Sequence, residues 1–186
     1  MSRLLINRSE IARHLELLGK NGETRYRAFP HKRDPRKGTL EGNGLVRKGN
    51  LQQADIEDLQ NTHGVGIYLV VNNGGDNKDE ITHAVANFAE WDGFSYEEQV
   101  EAIEAVVRDG LPNPTFCVKT HPGDDASLHL NWVLPEPSEN IWLWRFNQWR
   151  LIQLIKADPN IEDPPRVMRL AAVSYTHLRA HETRED

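Results

Sequence analysis

The sequence predicts an α+β domain whose strands dominate the centre of the chain. Three observations carry that reading. Helical and strand signals alternate with no long run of either. The 186 residues fit one domain of ordinary size, long enough to bury a real core. Apolar residues at 38% against 27% charged set the chain apart from disordered and membrane-embedded proteins.

The elements follow in order. Asn7 to Glu10 has the spacing of a capping box, with Ile11, Leu15 and Leu18 on one face of the helix it opens and Gly19 as its stop. Leu51 to Gln60 reads as a second helix with Ile56 and Leu59 inward. Gly66 to Val71 is rich in strand-favouring residues and ends at Asn72 to Gly75, a tight turn or open loop. Ile81 to Asp92 alternates loosely, with Ala84, Ala86 and Phe88 on one face, and its second half is expected to be a strand. Ser95 to Glu98 is another capping box, opening a helix on which Tyr96, Val100, Ile103 and Val107 share a face and which ends before Gly110. Thr115 to Thr120 and Ser127 to Leu134 read as two strands of a hairpin around Pro122 to Asp125. A helix from about Ser138 to Ala157 carries Trp142, Phe146, Trp149, Ile152 and Ile155. Asp158 and Pro159 break it, and a proline-rich link leads to an edge strand at Arg166 to Leu170. No internal repeat is evident.

Composition excludes several classes. No apolar run approaches the roughly 20 residues of a bilayer span, and the N-terminus has no apolar stretch of signal-peptide length, so a cytoplasmic protein without a membrane partner is expected. The single cysteine, Cys117, cannot form an internal disulfide, and no Cys/His cluster has zinc spacing. A net charge of -6 does not advertise nucleic-acid binding. Its distribution says more. Arg25, Arg27, Lys32, Arg33, Arg36, Lys37, Arg47 and Lys48 form a basic, glycine-interspersed segment, while acidic residues gather from Asp76 to Asp109. The segment reads as a loop that contacts phosphates of nucleic acid or of a nucleoside triphosphate, or else as a solvated loop with chance clustering.

The stretch from Val173 to Asp186 looks like a sequencing adapter translated in frame. It is therefore set aside from the fold, leaving residues 1–172 as a C-terminally truncated domain and 173–186 as a non-native tail. His177, His181 and Glu182 are not taken as a metal site.

Three features bear on chemistry. On a strand, Glu90 and Asp92 would present paired carboxylates from backbone positions about 6 to 7 Å apart, an arrangement suited to Mg²⁺ or Mn²⁺; the alternative is an exposed acidic strand end. Ser127, His129 and Asn131 share one face of their strand, and a hydroxyl and imidazole so spaced suit phosphate binding better than nucleophilic catalysis. Asp158 at a helix exit could complete a carboxylate set, with Arg166 and Arg169 offering guanidinium forks to phosphates.

In order and spacing, Glu90 and Asp92, then Ser127 and His129 within a Thr120, Gly123 and Trp132 context, then Asp158 ahead of Arg166 to Leu170, resemble the three motifs of the archaeo-eukaryotic primase superfamily. The nearest likeness is to RepB-like primase domains of plasmid and phage replication proteins of cyanobacterial type, over roughly Leu15 to Ala171. The resemblance implies an RRM-like antiparallel sheet beside a smaller N-terminal α/β unit. It implies catalytic, metal-holding carboxylates at Glu90, Asp92 and Asp158 with Mg²⁺ or Mn²⁺. Nucleotide phosphates fall to Ser127, His129, Arg166 and Arg169, and the template to Arg25, Arg27, Lys32, Arg33, Arg36 and Lys37. Many members carry aspartate at both positions of the first motif, where this chain has Glu90; its longer side chain still ligates Mg²⁺ but shifts the ion. The resemblance also implies a glycine-containing continuation after Leu170, where Ala171 stands.

The activity expected is template-directed nucleotidyl transfer by a two-metal mechanism, with single-stranded DNA and nucleoside triphosphates as partners and a helicase module in the full-length protein. The rivals are an inactive nucleic-acid-binding replication module and a metal-dependent nuclease. Convergence of the three carboxylates within about 6 Å of a common point is what metal ligation demands.

Overall fold

Short runs of β-branched and aromatic residues, too brief and too strongly alternating for helices, pair here into two antiparallel sheets. The computed structural model describes residues 6–20, 22–30, 34–91, 93–120 and 126–171, with the backbone of 177–180. The first sheet has the order β2-β1-β3-β8, from β1 (Arg25–Phe29), β2 (Arg47–Asn50), β3 (Gly66–Val70) and β8 (Val167–Arg169). The second has the order β4-β5-β7-β6-β9, from β4 (Asn73–Gly74), β5 (Ile81–Ala89), β6 (Phe116–Lys119), β7 (Leu128–Ser138) and β9 (His177–Ala180). Four α-helices are described: α1 (Arg8–Leu17), α2 (Leu40–Gly44), α3 (Tyr96–Arg108) and α4 (Ile141–Ile155). None is long and apolar enough to cross a membrane.

The predicted caps form. Asn7 accepts from the Glu10 N–H at the start of α1, Gly19 follows that helix at φ +63°, and Ser95 and Glu98 make a reciprocal box at the start of α3. The hairpin of β6 and β7 pairs Lys119 with Leu128 and Phe116 with Asn131. β8 is the edge strand expected.

Several expectations change. The basic segment is not one loop, because Arg25 and Arg27 lie on β1 and Arg47 and Lys48 on β2, paired antiparallel. Leu51 to Gln60 is not one helix but a 3-10 turn at Leu51–Gln53 and a separate π-helical turn at Asp58–Thr62. Asn73–Gly74 is a short strand on β5 rather than a turn or loop. The backbone of His177–Ala180, within the segment set aside from the fold, pairs with β6 along its otherwise open edge.

The seating of α4 on β5 fixes the end of that strand. Beyond the reach of β4, the backbone of β5 has outward N–H and C=O groups with no strand to receive them, and burial without a partner would cost about 1 to 3 kcal/mol each. The helix supplies side chains instead. Trp144 donates its indole N–H to Ala86 O (2.9 Å). Gln148 accepts from the Phe88 N–H (3.1 Å) and donates to Phe88 O (2.7 Å). One step on, the Asp158 N–H donates to Glu90 O (2.9 Å). At the start of β7, Gln99 of α3 does the same, accepting from the Leu128 N–H (2.7 Å) and donating to Ala126 O (3.0 Å). Both glutamines are fully buried.

Candidate functional site

Glu90 stands one residue past the end of β5 rather than on the strand. The strand's pairing with β7 brings Ala89 opposite Leu130 and so carries Glu90 to the neighbourhood of His129. Glu90 Oε2 lies 2.9 Å from His129 Nε2, and Oε1 lies 2.8 Å from Arg166 Nη2. His129 Nδ1 accepts from the Arg169 backbone N–H (3.0 Å), a group that points outward from the edge strand β8. An imidazole that accepts at Nδ1 carries its proton on Nε2 and donates it to Glu90. The chain Arg166, Glu90, His129, Arg169 thus ties the end of β5, the body of β7 and the edge of β8 together.

Burial alone would raise the Glu90 carboxyl. The hydrogen bond from His129 and the Arg166 guanidinium outweigh that and hold it down at about 2. The carboxylate is therefore charged at any physiological pH.

The expected polar face of β7 is not an exposed one. His129 and Asn131 are 6% and 1% exposed, enclosed by the two sheets. Ser127 stands just ahead of the strand, where its N–H bonds Thr120 Oγ1 (3.0 Å) and its carbonyl receives the Thr120 N–H (3.0 Å). Asp158 reaches the site by its backbone bond to Glu90. Its Oδ1 accepts from the Asn160 N–H (2.9 Å) and Nδ2 (2.8 Å), opening the turn at Pro159–Ile161. Asp92, Lys32 and Arg33 lie outside the described residues. Among the described residues no group of three or more His, Cys, Asp or Glu side chains is placed to hold a metal ion.

The two arginines are held but not saturated. Arg169 donates from Nη1 to Tyr68 OH (2.9 Å), with its guanidinium carbon 5.1 Å from that ring's centre; Phe29 stacks on Tyr68 at 4.4 Å. Gly66 leaves the room this needs, since a Cβ there would sit 2.4 Å from Arg169 Nη1. The Nε atoms of Arg166 and Arg169 are buried with no hydrogen-bond partner, as is Asn131 Oδ1. Unpartnered donors of this kind are what an anionic ligand would satisfy.

The basic segment is distributed differently. Arg25 Nη2 lies 2.6 Å from Asp76 Oδ2, Arg27 donates to Asp76 O, and Arg36 Nη2 lies 2.7 Å from Asp34 Oδ2 and 3.0 Å from His63 O. Lys37 is exposed. Arg25, Arg27 and Tyr68 share one face of the first sheet with Arg169, because Arg27 pairs with Tyr68 and Tyr68 with Arg169. Sequence reading missed Phe29, Gly66, Tyr68 and Asn160. The alternation of Arg25, Tyr26, Arg27, Ala28 and Phe29 is the one available signal, a period of two that marks β1 and puts Phe29 on the arginine face.

No family model and no curated protein matches the chain. Solved structures do. The chain is similar to the AEP domain of the cyanophage S-2L primase-polymerase, with 34% identity and a TM-score of 0.78 over 94% of this chain and 90% of that one. It has the fold of primase RepB′ (15% identity, TM-score 0.61, 92% of this chain and 55% of that one). It also matches the catalytic domain of primase RepB′ solved in complex with initiator DNA (17% identity, TM-score 0.54, 92% and 82%).

Proposed function

Because the chain belongs to the archaeo-eukaryotic primase superfamily, we propose that it is a DNA primase-polymerase of plasmid or phage replication, adding nucleotides to a growing strand on a single-stranded DNA template. What supports this reading most directly is the Glu90 and His129 pair, flanked by two arginines whose buried Nε donors lack partners.

Each side chain then has a task set by its position. Arg166 and Arg169 present fork donors to the triphosphate, and Tyr68 holds Arg169 in place. The Arg169 N–H fixes the His129 tautomer, so that Nε2–H is directed at an acidic oxygen, from Glu90 here or from a phosphate that takes its place. Ser127, at the mouth of the same strand, would meet a phosphate with its hydroxyl. Arg25, Arg27, Arg36 and Lys37, with Lys32 and Arg33, supply charge for the template backbone; Arg25 and Arg36 do so less freely because of Asp76 and Asp34.

The residues fit a hard divalent cation in kind. Glu90 and Asp158 are carboxylates on adjoining strand and helix ends, and each Glu90 oxygen has a second lone pair beyond its bond to His129 or Arg166. Mg²⁺ or Mn²⁺ would be held by Glu90 and Asp158 together with Asp92. Such ions supply a more nucleophilic 3′-hydroxyl and neutralise the leaving pyrophosphate. No protein nucleophile is needed, and pairing with the template gives sequence fidelity.

The test is incorporation of labelled nucleotides on a primed single-stranded template with Mg²⁺ or Mn²⁺. The parent chain should extend the primer, while Asp92→Ala and Glu90→Gln should not. Template binding without extension would replace the reading with a binding module, and a shortened template with a nuclease.

A further inference from the structure

The α4 sequence is apolar on nearly every side, a pattern proper to a helix covered all round. Only its inner stripe is covered. On the outer side Trp142, Phe146 and Trp149 are 75%, 44% and 47% exposed, with Leu143 and Leu154 beside them. The three rings stand in sequence along the helix, Trp142 to Phe146 at 6.2 Å and 4° and Phe146 to Trp149 at 6.2 Å and 27°. Exposed apolar area of this extent on one element marks a binding surface.

Charge points to the occupant. The helix contains Arg145 and Arg150 and no Asp or Glu, and Lys156 follows it, in a chain of net charge -6. Arg150 lies 5.8 Å from the centre of the Phe146 ring; Arg145 is half exposed, with Glu162 no closer than 4.0 Å. A row of near-parallel rings flanked by cations complements one common ligand chemistry, flat bases on a polyanionic backbone.

We propose that the outer face of α4 is a stacking site for single-stranded nucleic acid, with bases against Trp142, Phe146 and Trp149 and phosphates against Arg145 and Arg150. The proposal rests on the template-directed function and adds a place where the strand is held outside the reaction site. The exit of α4 is the turn whose Asp158 N–H bonds Glu90, so a strand lying along the helix is led towards that site.

The test measures binding of labelled oligothymidylate to the whole chain by anisotropy and by tryptophan quenching. Trp142 and Trp149 are exposed, Trp91 and Trp144 are buried, and Trp132 is half-buried, so the quenching lost in the double tryptophan variant is what belongs to the first pair. Trp142→Ala with Trp149→Ala should weaken binding by roughly tenfold or more with the unfolding midpoint unchanged. Arg145→Gln with Arg150→Gln should lower the slope of log affinity against log salt by about 1.4. Glu90→Gln should bind and quench as the parent does, which separates strand holding from synthesis. If the parent binds and quenches but extends no primer, the stacking site stands and the polymerase reading fails. Undiminished binding by the double tryptophan variant overturns the stacking site alone. So does concentration-dependent self-association abolished by the same variant, which would make the face a protein contact.

Discussion

The two sides of α4 obey opposite rules. Its inner side carries a glutamine, Gln148, completely buried, and its outer side carries three aromatic residues, Trp142, Phe146 and Trp149, 44% to 75% exposed. By polarity alone those positions are inside out, although Trp144, Ile152 and Ile155 are buried beside Gln148. The inner side faces a strand edge that needs donors and acceptors, and an amide satisfies both where a leucine satisfies neither. The outer side faces no part of the described fold, so its rings add little to folding. Burial here follows the hydrogen-bonding needs of the backbone first and apolarity second.

Substitutions can sharpen or break that contrast. The largest effect is expected at the end of the edge that α4 closes, where Glu90→Ala leaves His129 and Arg166 without their carboxylate. About 3 to 4 kcal/mol of stability should be lost, at the lower end for buried pairs because Arg166 is 30% exposed at its side chain. Urea unfolding would show it, and a loss under 1 kcal/mol would mean that the cluster is not a buried network. Next, Gln148→Leu keeps the apolar contact but strands the Phe88 N–H and C=O. About 2 to 3 kcal/mol is expected, and a neutral result would break the contrast outright.

The third effect is a pH dependence from another buried polar residue, His14, whose Nδ1 accepts from the Ala171 N–H. Burial, helped by His129 and Lys20, pushes its pKa down from 6.5 to about 3. The unfolded chain therefore takes up a proton below pH 6.5 that the folded chain refuses until about pH 3, and stability falls as pH falls through that window. His14→Gln should flatten the slope between pH 6.5 and 5 by about 1.4 kcal/mol per pH unit. An unchanged slope would show that His14 protonates freely in the fold. Smallest of all, Trp142→Ala should alter stability by no more than about 0.5 kcal/mol, since the ring is 75% exposed. A larger loss in thermal unfolding would mean that the outer face contributes to the fold.

Much of this architecture is legible in the chain. Capping residues give α1 and α3 their starts, strand-favouring composition gives β3, the hairpin signal gives β6 and β7, and the Arg166 to Leu170 string gives the edge strand with both arginines at the site. The order of Glu90, His129 and Arg166 also foretells their meeting, though not that Glu90 would be the partner of both. Less legible is whatever depends on an edge distant in sequence. Gln99 and Gln148 are polar residues on the apolar sides of their helices, and only the missing neighbour of β5 and β7 explains them. The charges from Arg25 to Lys48 suggest a loop because clustering is conspicuous, while the period of two that makes Arg25–Phe29 a strand is brief.

The paired glutamine brackets have a consequence for precision. A helix seated only by apolar side chains can slide or roll a little and find similar contacts. One whose amide grips the neighbouring donor and acceptor of a strand cannot shift in either sense without releasing both. Gln148 grips Phe88, two residues before Glu90, and Gln99 grips Leu128, one before His129. The two members of the central acid and imidazole couple are thus each located by a separate rigid gauge. Their spacing is governed by helix seating rather than by the loops around them.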